Sequence, residues 1–431
     1  MSRRPLTSRV PFYYGWVMVA VAGAGVFASG PGQTYIVSVM VDPLIEETGW
    51  SRTLVSGLYS AGSISAVVGA ILAGRALDRF GARVVLTGVA ALFGLAAFMM
   101  GKVASPLHLF FGFFAIRSLG QTALVLVSTS LVAIWFVRLR GRATAFTALA
   151  APAGQAALPP LVFVIIALSD WRTAWTVMAI AIWVLLLPAA VLLVRRSPES
   201  EGLLPDGDRR APPISGIAGS RPDSEQHWTS GEAIRTRAFW LLLFAGMALS
   251  LIGTALTFHH ISLMRTKGVD EGMAAVILSV VALVALATTF TAGFLLDRFP
   301  NRMVLAAGQA VMVAAMLSTL LISSTWEGFV YGVLLGVAQG LVMTTNIVIW
   351  PNYFGRKHIG SVRGAASIGM VVSSGLGPLP FGALFEATNS YDIAVLGFLA
   401  LPVLCGIAAL AASPPTKSPE QPGAAIEASQ P

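Results

Sequence analysis

The chain has 431 residues, of which 56% are hydrophobic and 11% charged, and its mean hydropathy is +0.77. A soluble core needs far less apolar surface than this, so the composition excludes the soluble globular classes and calls for lipid-facing helices. The net charge of +8 would suit a nucleic-acid binder, but the basic residues sit in short stretches between apolar runs, as membrane topology requires. The single Cys405 leaves no disulfide or multi-cysteine metal site.

Arg3, Arg4 and Arg9 precede the first apolar run. That run is too long for a signal peptide and lacks a cleavage site, so it reads as an uncleaved first helix. Apolar segments long enough to cross a hydrocarbon core fall near 14–41, 53–74, 83–104, 107–134, 143–168 and 173–194. They resume near 238–264, 272–295, 303–323, 328–350, 364–386 and 391–412. The spacing predicts a six-helix bundle over 12–194 and a second over 238–413. Between them, 195–237 is rich in Pro, Gly, Ser and alternating charge and reads as a flexible linker, with a short amphipathic helix near its end. The Pro- and Ala-rich stretch 414–431 reads as a disordered tail.

The run Gly74-Arg75-Ala76-Leu77-Asp78-Arg79-Phe80-Gly81-Ala82-Arg83 returns, degraded, as Gly293-Phe294-Leu295-Leu296-Asp297-Arg298-Phe299-Pro300-Asn301-Arg302. Each copy lies between two apolar segments and so forms a charged elbow. A repeat at half the chain length implies two homologous bundles with a pathway between them. The fold class is therefore an all-α membrane protein of twelve transmembrane helices in two pseudo-symmetric bundles. Of the 28 Lys and Arg, only Arg52, Lys102, Arg172, Arg265 and Lys267 fall in the loops opposite the elbows, and Arg117 falls inside a helix. The bias places both termini in the cytoplasm, in a multi-pass protein of the cell's inner (plasma) membrane.

Twelve spans, a long central loop and the twin Gly-x-x-x-Asp-Arg-Phe elbow together resemble the major facilitator superfamily over about residues 12–413. The likeness implies a latch in which Asp78 and Asp297, with Arg79 and Arg298 beside them, pair with Arg138, Arg142, Arg356 and Arg363 to close the cytoplasmic side. Pro300 and Asn301 depart from the family's usual Gly and small residue. Trp135-Phe136-Val137-Arg138 and Tyr353-Phe354-Gly355-Arg356, each followed by Arg-Gly, resemble the monocarboxylate-porter and oxalate/formate branch, as does Tyr14-Gly15-Trp16. Ala151-Pro152-Ala153-Gly154-Gln155 stands where drug-export antiporters carry Gly-Pro-x-x-Gly-Gly.

Arg117 lies roughly ten residues into its helix, about 15 Å deep, where an Arg costs on the order of 2.5–3.5 kcal/mol unless it meets a cavity or partner. No Asp or Glu lies at matching depth, so it suits an anion, which a guanidinium can hold with two donors. The superfamily likeness offers a second role, since the corresponding helix-4 Arg often bonds the backbone of helix 1. Gln121 lies four residues on, on the same α-helical face. Gly30-Pro31-Gly32 interrupts helix 1, making Gln33 and Tyr35 candidates for a cavity wall. Tyr59, Asn346 and, more weakly, Gln155 and Ser373-Ser374 complete the polar set. Of the adjacent His259 and His260, one is expected to face the cavity and carry proton coupling.

No nucleotide motif, catalytic carboxylate pair or cofactor motif appears. The expectation is a secondary transporter, not an enzyme, that acts as a monomer in the lipid bilayer. It would move a small organic anion, most simply a monocarboxylate, by proton-coupled alternating access. An exporter of apolar compounds is the alternative.

Overall fold

The structure, a computed structural model, describes residues 11–207, 228–355 and 359–416. Arg356, the chain segment 208–227 and most of the tail lie outside the described residues, as does the side chain of Asp78. Among the described residues there is no strand, and twelve helices are long and apolar enough to span a membrane. These are α1 (Gly15–Thr48), α2 (Arg52–Leu77), α3 (Arg79–Met100), α4 (Pro106–Trp135), α5 (Arg142–Leu168) and α6 (Trp171–Leu193). The second half contributes α7 (Arg237–Phe258), α8 (Glu271–Arg298), α9 (Asn301–Leu320), α10 (Thr325–Phe354), α11 (Ser361–Thr388) and α12 (Asp392–Ala411).

Large apolar side chains such as Leu72, Phe111, Leu185, Phe294 and Leu404 are more than half exposed. Such a surface would aggregate in water, and it is what a helix presents to lipid. The protein is thus an all-α, multi-pass integral membrane protein of two six-helix bundles.

Polar caps end the helices where water begins. Ser51 accepts from the Leu54 amide, Ser105 from His108 and Asp170 from Thr173, each sparing a helix its unpaired N-terminal donors. Helix α1 runs to Thr48, past the end expected near residue 41. Asp42 does not stop it, because Arg52 pairs with the carboxylate at 2.6 Å and lets the charge stay buried.

The two elbows reach one shape by different chemistry. Gly81 turns with φ 77, a conformation open to glycine. At the repeat-related position Pro300 (φ −55, ψ 133) starts α9 instead, its missing N–H falling where no helical partner exists. Two motifs distant in sequence meet on this arginine-rich, or basic, face. The Trp16 ring lies 5.2 Å from Phe136, and Tyr14 lies 5.7 Å from Trp135. The second half repeats this knot with Phe239, Trp350 and Phe354. Tyr14 donates to the Leu193 carbonyl at 2.8 Å and Tyr353 to that of Ala412 at 2.9 Å. The aromatic signatures therefore bind α1 to α4 and α7 to α10.

Part of the linker is ordered against the first bundle. Asp206 (φ 60) accepts from the amides of Val137, Arg138 and Leu139 at 3.2, 2.7 and 3.0 Å. A capping box starts the short helix Ser230–Ile234.

The halves meet along α2–α11 and α5–α8. On the face opposite the elbows they are locked. Arg265 bonds Glu46 at 2.5 Å, Glu386 accepts the Thr53 amide at 3.0 Å, and Arg52 lies 5.2 Å over the Phe385 ring. Beneath, a Cβ on Gly382 would come within 2.5 Å of Ser56 Oγ, so the backbone of α11 rests directly on α2.

Exposed pairs of this kind contribute up to about 1 kcal/mol each. Replacing Glu46 and Glu386 together by Ala should weaken closure by about 1–2 kcal/mol, a several-fold change in population. In a Cys405→Ser background, a cysteine at Ser56 should react slowly with an impermeant maleimide and several-fold faster in the double variant. An unchanged rate would show that these contacts do not hold the face shut.

Candidate functional site

Between the halves lies a cavity of about 690 Å³. Its walls include Ala145 and Leu149 from the start of α5, Phe290 from the end of α8, and Met343 and Ile347 from the end of α10. All of these lie toward the basic face, while the far face is sealed by the contacts above. The cavity therefore runs from the membrane middle to the arginine-rich side.

The deep end is polar, and among the described residues it carries no formal charge. Ser29, Gln33, Thr34, Tyr35 and Gln155 line it from the first half, and Ser250, Thr254, Thr257, Gln339, Thr344 and Ser374 from the second. The helical breaks explain why these groups reach it. α1 gives way to a 3₁₀ turn at Gly30–Gly32, Gln33 is extended (φ −94, ψ 153), and a new helix starts at Thr34. The offset of 219 that relates the elbows carries this break onto a π-helical turn at Leu249–Gly253 in α7, which brings Ser250 to the opposite wall. There Thr254 Oγ1 and Ser374 Oγ share a hydrogen bond of 2.8 Å.

The break in α1 also frees a carbonyl. The Ile36 amide bonds Gln33 O at 3.2 Å, leaving Gly32 O to accept from Arg117 Nη1 at 3.2 Å. The same nitrogen donates to Thr34 Oγ1 at 3.3 Å, the guanidinium lies 5.1 Å over the Tyr59 ring, and the Tyr59 hydroxyl is 2.7 Å from Thr34 Oγ1. Arg117 is 3% exposed. Its Nε has no hydrogen-bond partner among the described residues. Two charge-assisted bonds contribute about 1.5–3 kcal/mol each and a desolvated cation–π contact about 2. Together they offset the several kcal/mol of desolvation without cancelling the charge.

Arg117 thus bonds the backbone of α1, one of the two roles read from the sequence, and stands behind the cavity wall, not in it. Gln33 and Tyr35 line the cavity as expected. Tyr59 is fully buried and reaches it through Thr34. Gln121 is absent from the lining; it lies in the π-helical turn Arg117–Leu124, its backbone amide nitrogen 2.9 Å from where a Cβ on Gly32 would stand. The wider turn breaks the α-helical register that would place Gln121 above Arg117. Asn346 points to Gly246 of α7, where a Cβ would lie 3.2 Å from its Oδ1.

The histidines require a correction. Neither lines the cavity. α7 ends at Phe258, His259 (φ −91, ψ 8) links it to the short helix His260–Thr266, and both rings turn into helix packing. His259 Nε2 meets Pro378 O at 2.9 Å and Nδ1 meets the Tyr391 hydroxyl at 3.2 Å. His260 Nε2 meets Ala274 O at 2.9 Å, its ring stacked on Tyr331.

Arg79, Arg138, Arg142, Asp297, Arg298 and Arg363 are exposed on the basic face. Asp297 has no ion-pair partner among the described residues. Thr34 and Gln339 were not singled out from the sequence; the position of Thr34, directly after a helix break, was the available signal.

The Major Facilitator Superfamily model matches residues 15–265 and 238–429. A curated relative, the "Probable sulfoacetate transporter SauU" of Cupriavidus necator, is 27% identical over 389 residues, covering 87% of this chain and 88% of its own. A solved D-xylose-proton symporter superposes with a TM-score of 0.71 at 15% identity, covering 92% of this chain and 97% of its own. A bacterial homolog of the human lysosomal transporter Spinster, in an inward-facing and occupied conformation, gives 0.67 at 15% identity, covering 92% and 96%. At such identities these two structures show the fold alone.

A Cβ on Gly32 would come within 2.5 Å of the Ile116 carbonyl and 2.9 Å of Gly120 Cα. Neither is a flexible side-chain end, so the α1–α4 crossing has no room to give. Gly32→Ala should destabilise the protein by about 1–3 kcal/mol, seen as a lower melting temperature of the purified protein. A melting temperature equal to that of the parent would mean that the crossing is looser than described.

Proposed function

Because this chain belongs to the major facilitator superfamily and is a membrane transporter, not an enzyme, we propose that it moves a small organic anion bearing a carboxylate or sulfonate by alternating access. The observation that carries the reading is Arg117, a buried guanidinium with no carboxylate partner among the described residues, beside a cavity to which those residues bring no charge. An anion one hydrogen bond beyond Thr34 would sit about 6 Å from that charge. At an effective dielectric of about 20 the attraction is about 3 kcal/mol, roughly a hundredfold in affinity. The curated relative's name, which specifies sulfoacetate, supports the same class. So does the cavity's volume, ample for an anion of a few heavy atoms with its water.

The described conformation then faces the cytoplasm, with the far side closed. The exposed Asp297 fits a latch that engages in the opposite state with arginines of neighbouring loops such as Arg363, and the sequence reading gives Asp78 the same role in the first half. In the sequence reading, protons drive transport through His259 or His260. Among the described residues the lining contains no Asp, Glu or His, and we instead propose that the gradient of the anion, or exchange for another anion, drives movement.

Two experiments test this. Titration calorimetry of sulfoacetate and acetate with purified protein should show binding that Arg117→Gln weakens about 10- to 100-fold, while Arg117→Lys, which keeps the charge but loses the planar fork, falls between. Full affinity in a folded Arg117→Gln protein would end the anion reading and favour an exporter of apolar compounds. Replacing both His259 and His260 by Gln should leave the pH profile of uptake unchanged. A flattened profile would return proton coupling to the histidines.

A further inference from the structure

We infer that the anionic group of the substrate is received by the hydroxyl of Thr34, at the break in α1, which acts there as a hydrogen-bond donor. This inference rests on the anion reading above and assigns its contact atom.

The argument is a count of protons and lone pairs. A threonine hydroxyl has one proton and two acceptor positions. Arg117 can only donate, so its Nη1 occupies one acceptor position of Thr34 Oγ1 at 3.3 Å. The Tyr59 hydroxyl lies 2.7 Å from the same oxygen, and Tyr59 is fully buried. Thr34 is its one hydrogen-bond partner among the described residues. Were Thr34 to donate to Tyr59, the phenolic proton would be left buried and unpaired, which is the costlier arrangement. Tyr59 therefore donates and fills the second acceptor position.

Both acceptor positions of Thr34 are then taken, and its proton has no acceptor among the described residues. Thr34 belongs to the cavity wall, so that proton is offered to whatever occupies the cavity. A hydroxyl in this state discriminates: it can bond an acceptor and has nothing to offer a donor. Two features favour a charged acceptor. The guanidinium polarises the O–H through the oxygen it holds. Thr34 is also the first residue of the helix Thr34–Thr48, whose positive end lies at the cavity. Beside it, Gln33 Nε2 donates to Ser29 Oγ at 3.2 Å, and Ser29 donates onward to Val26 O at 2.6 Å. That chain leaves the second amide proton of Gln33 as a neighbouring donor. The ligand class is an oxyanion, carboxylate or sulfonate.

The test is calorimetric binding of sulfoacetate, acetate and methanesulfonate to the full chain, with melting curves on each variant. Thr34→Val keeps the shape and removes the donor; it should weaken sulfoacetate binding about 10- to 100-fold. Thr34→Ser restores the donor and should stay within about threefold of the parent. Comparing acetate with methanesulfonate shows which headgroup Thr34 receives: the one whose affinity Thr34→Val lowers. Should Thr34→Val fail to fold, Thr34→Ala carries the same comparison. Parent-like affinity in a folded Thr34→Val or Thr34→Ala protein would overturn the assignment while leaving the anion reading intact. Equal losses in the serine and valine variants would also overturn it. No binding of any probe to the parent would fail the anion reading itself, and this inference with it.

Discussion

A positive charge with no negative partner among the described residues, held in the middle of a membrane protein, constrains much of what surrounds it. Arg117 is kept in place by neutral groups alone: a backbone carbonyl, a threonine oxygen and the face of a tyrosine ring. Each has a structural precondition. The carbonyl is free because Gly30-Pro31-Gly32 breaks α1 and shifts the Ile36 amide to Gln33. Arg117 reaches that carbonyl because Gly32 and Gly120 let two backbones touch. The π-helical turn Arg117–Leu124 sets the direction of the side chain. Removing any of these would strand a cation or a carbonyl in a dry site, at a cost of about 1–3 kcal/mol for the neutral group alone.

The two halves share a plan but not a chemistry. At the position the repeat relates to Arg117, α10 carries Gly336, pressed so close to α8 that a Cβ would lie 2.7 Å from the Val281 carbonyl. The first half thus supplies the charge and the broken helix, and the second supplies hydroxyl and amide groups such as Thr254, Ser374 and Gln339. On the proposed reading an anion is oriented toward the first half. Its exchange with the far face then depends on the second half moving away, along the α2–α11 seam where Gly382 rests on Ser56.

Much of the architecture was legible in the sequence, because lipid imposes simple rules. Apolar runs of fixed minimum length gave the twelve helices, and the Asp78 and Asp297 elbows gave the two-fold plan. The Gly-Pro-Gly interruption gave the position of the break, and Gln33 and Tyr35 followed from it. What was hidden depends on contacts between distant segments. The end of α1 was misplaced because Asp42 looks like a surface charge until Arg52 is beside it. Gln121 was put on the face of Arg117 by α-helical geometry, which a π turn does not obey. His259 and His260 looked like lone polar groups in an apolar helix; their partners, the Pro378 and Ala274 carbonyls, lie in other helices. Thr34 gave little signal, as its role comes from Arg117 and Tyr59 meeting at one oxygen.

The central claim, that the cavity between the halves carries a small organic anion across the membrane, is tested most directly by counterflow in liposomes containing the purified protein. Vesicles preloaded with unlabelled sulfoacetate should take up labelled sulfoacetate well above protein-free vesicles, and external acetate or methanesulfonate should compete where the site accepts them. Counterflow absent for every carboxylate and sulfonate offered, with movement of a neutral lipophilic compound in the same vesicles, would contradict the account.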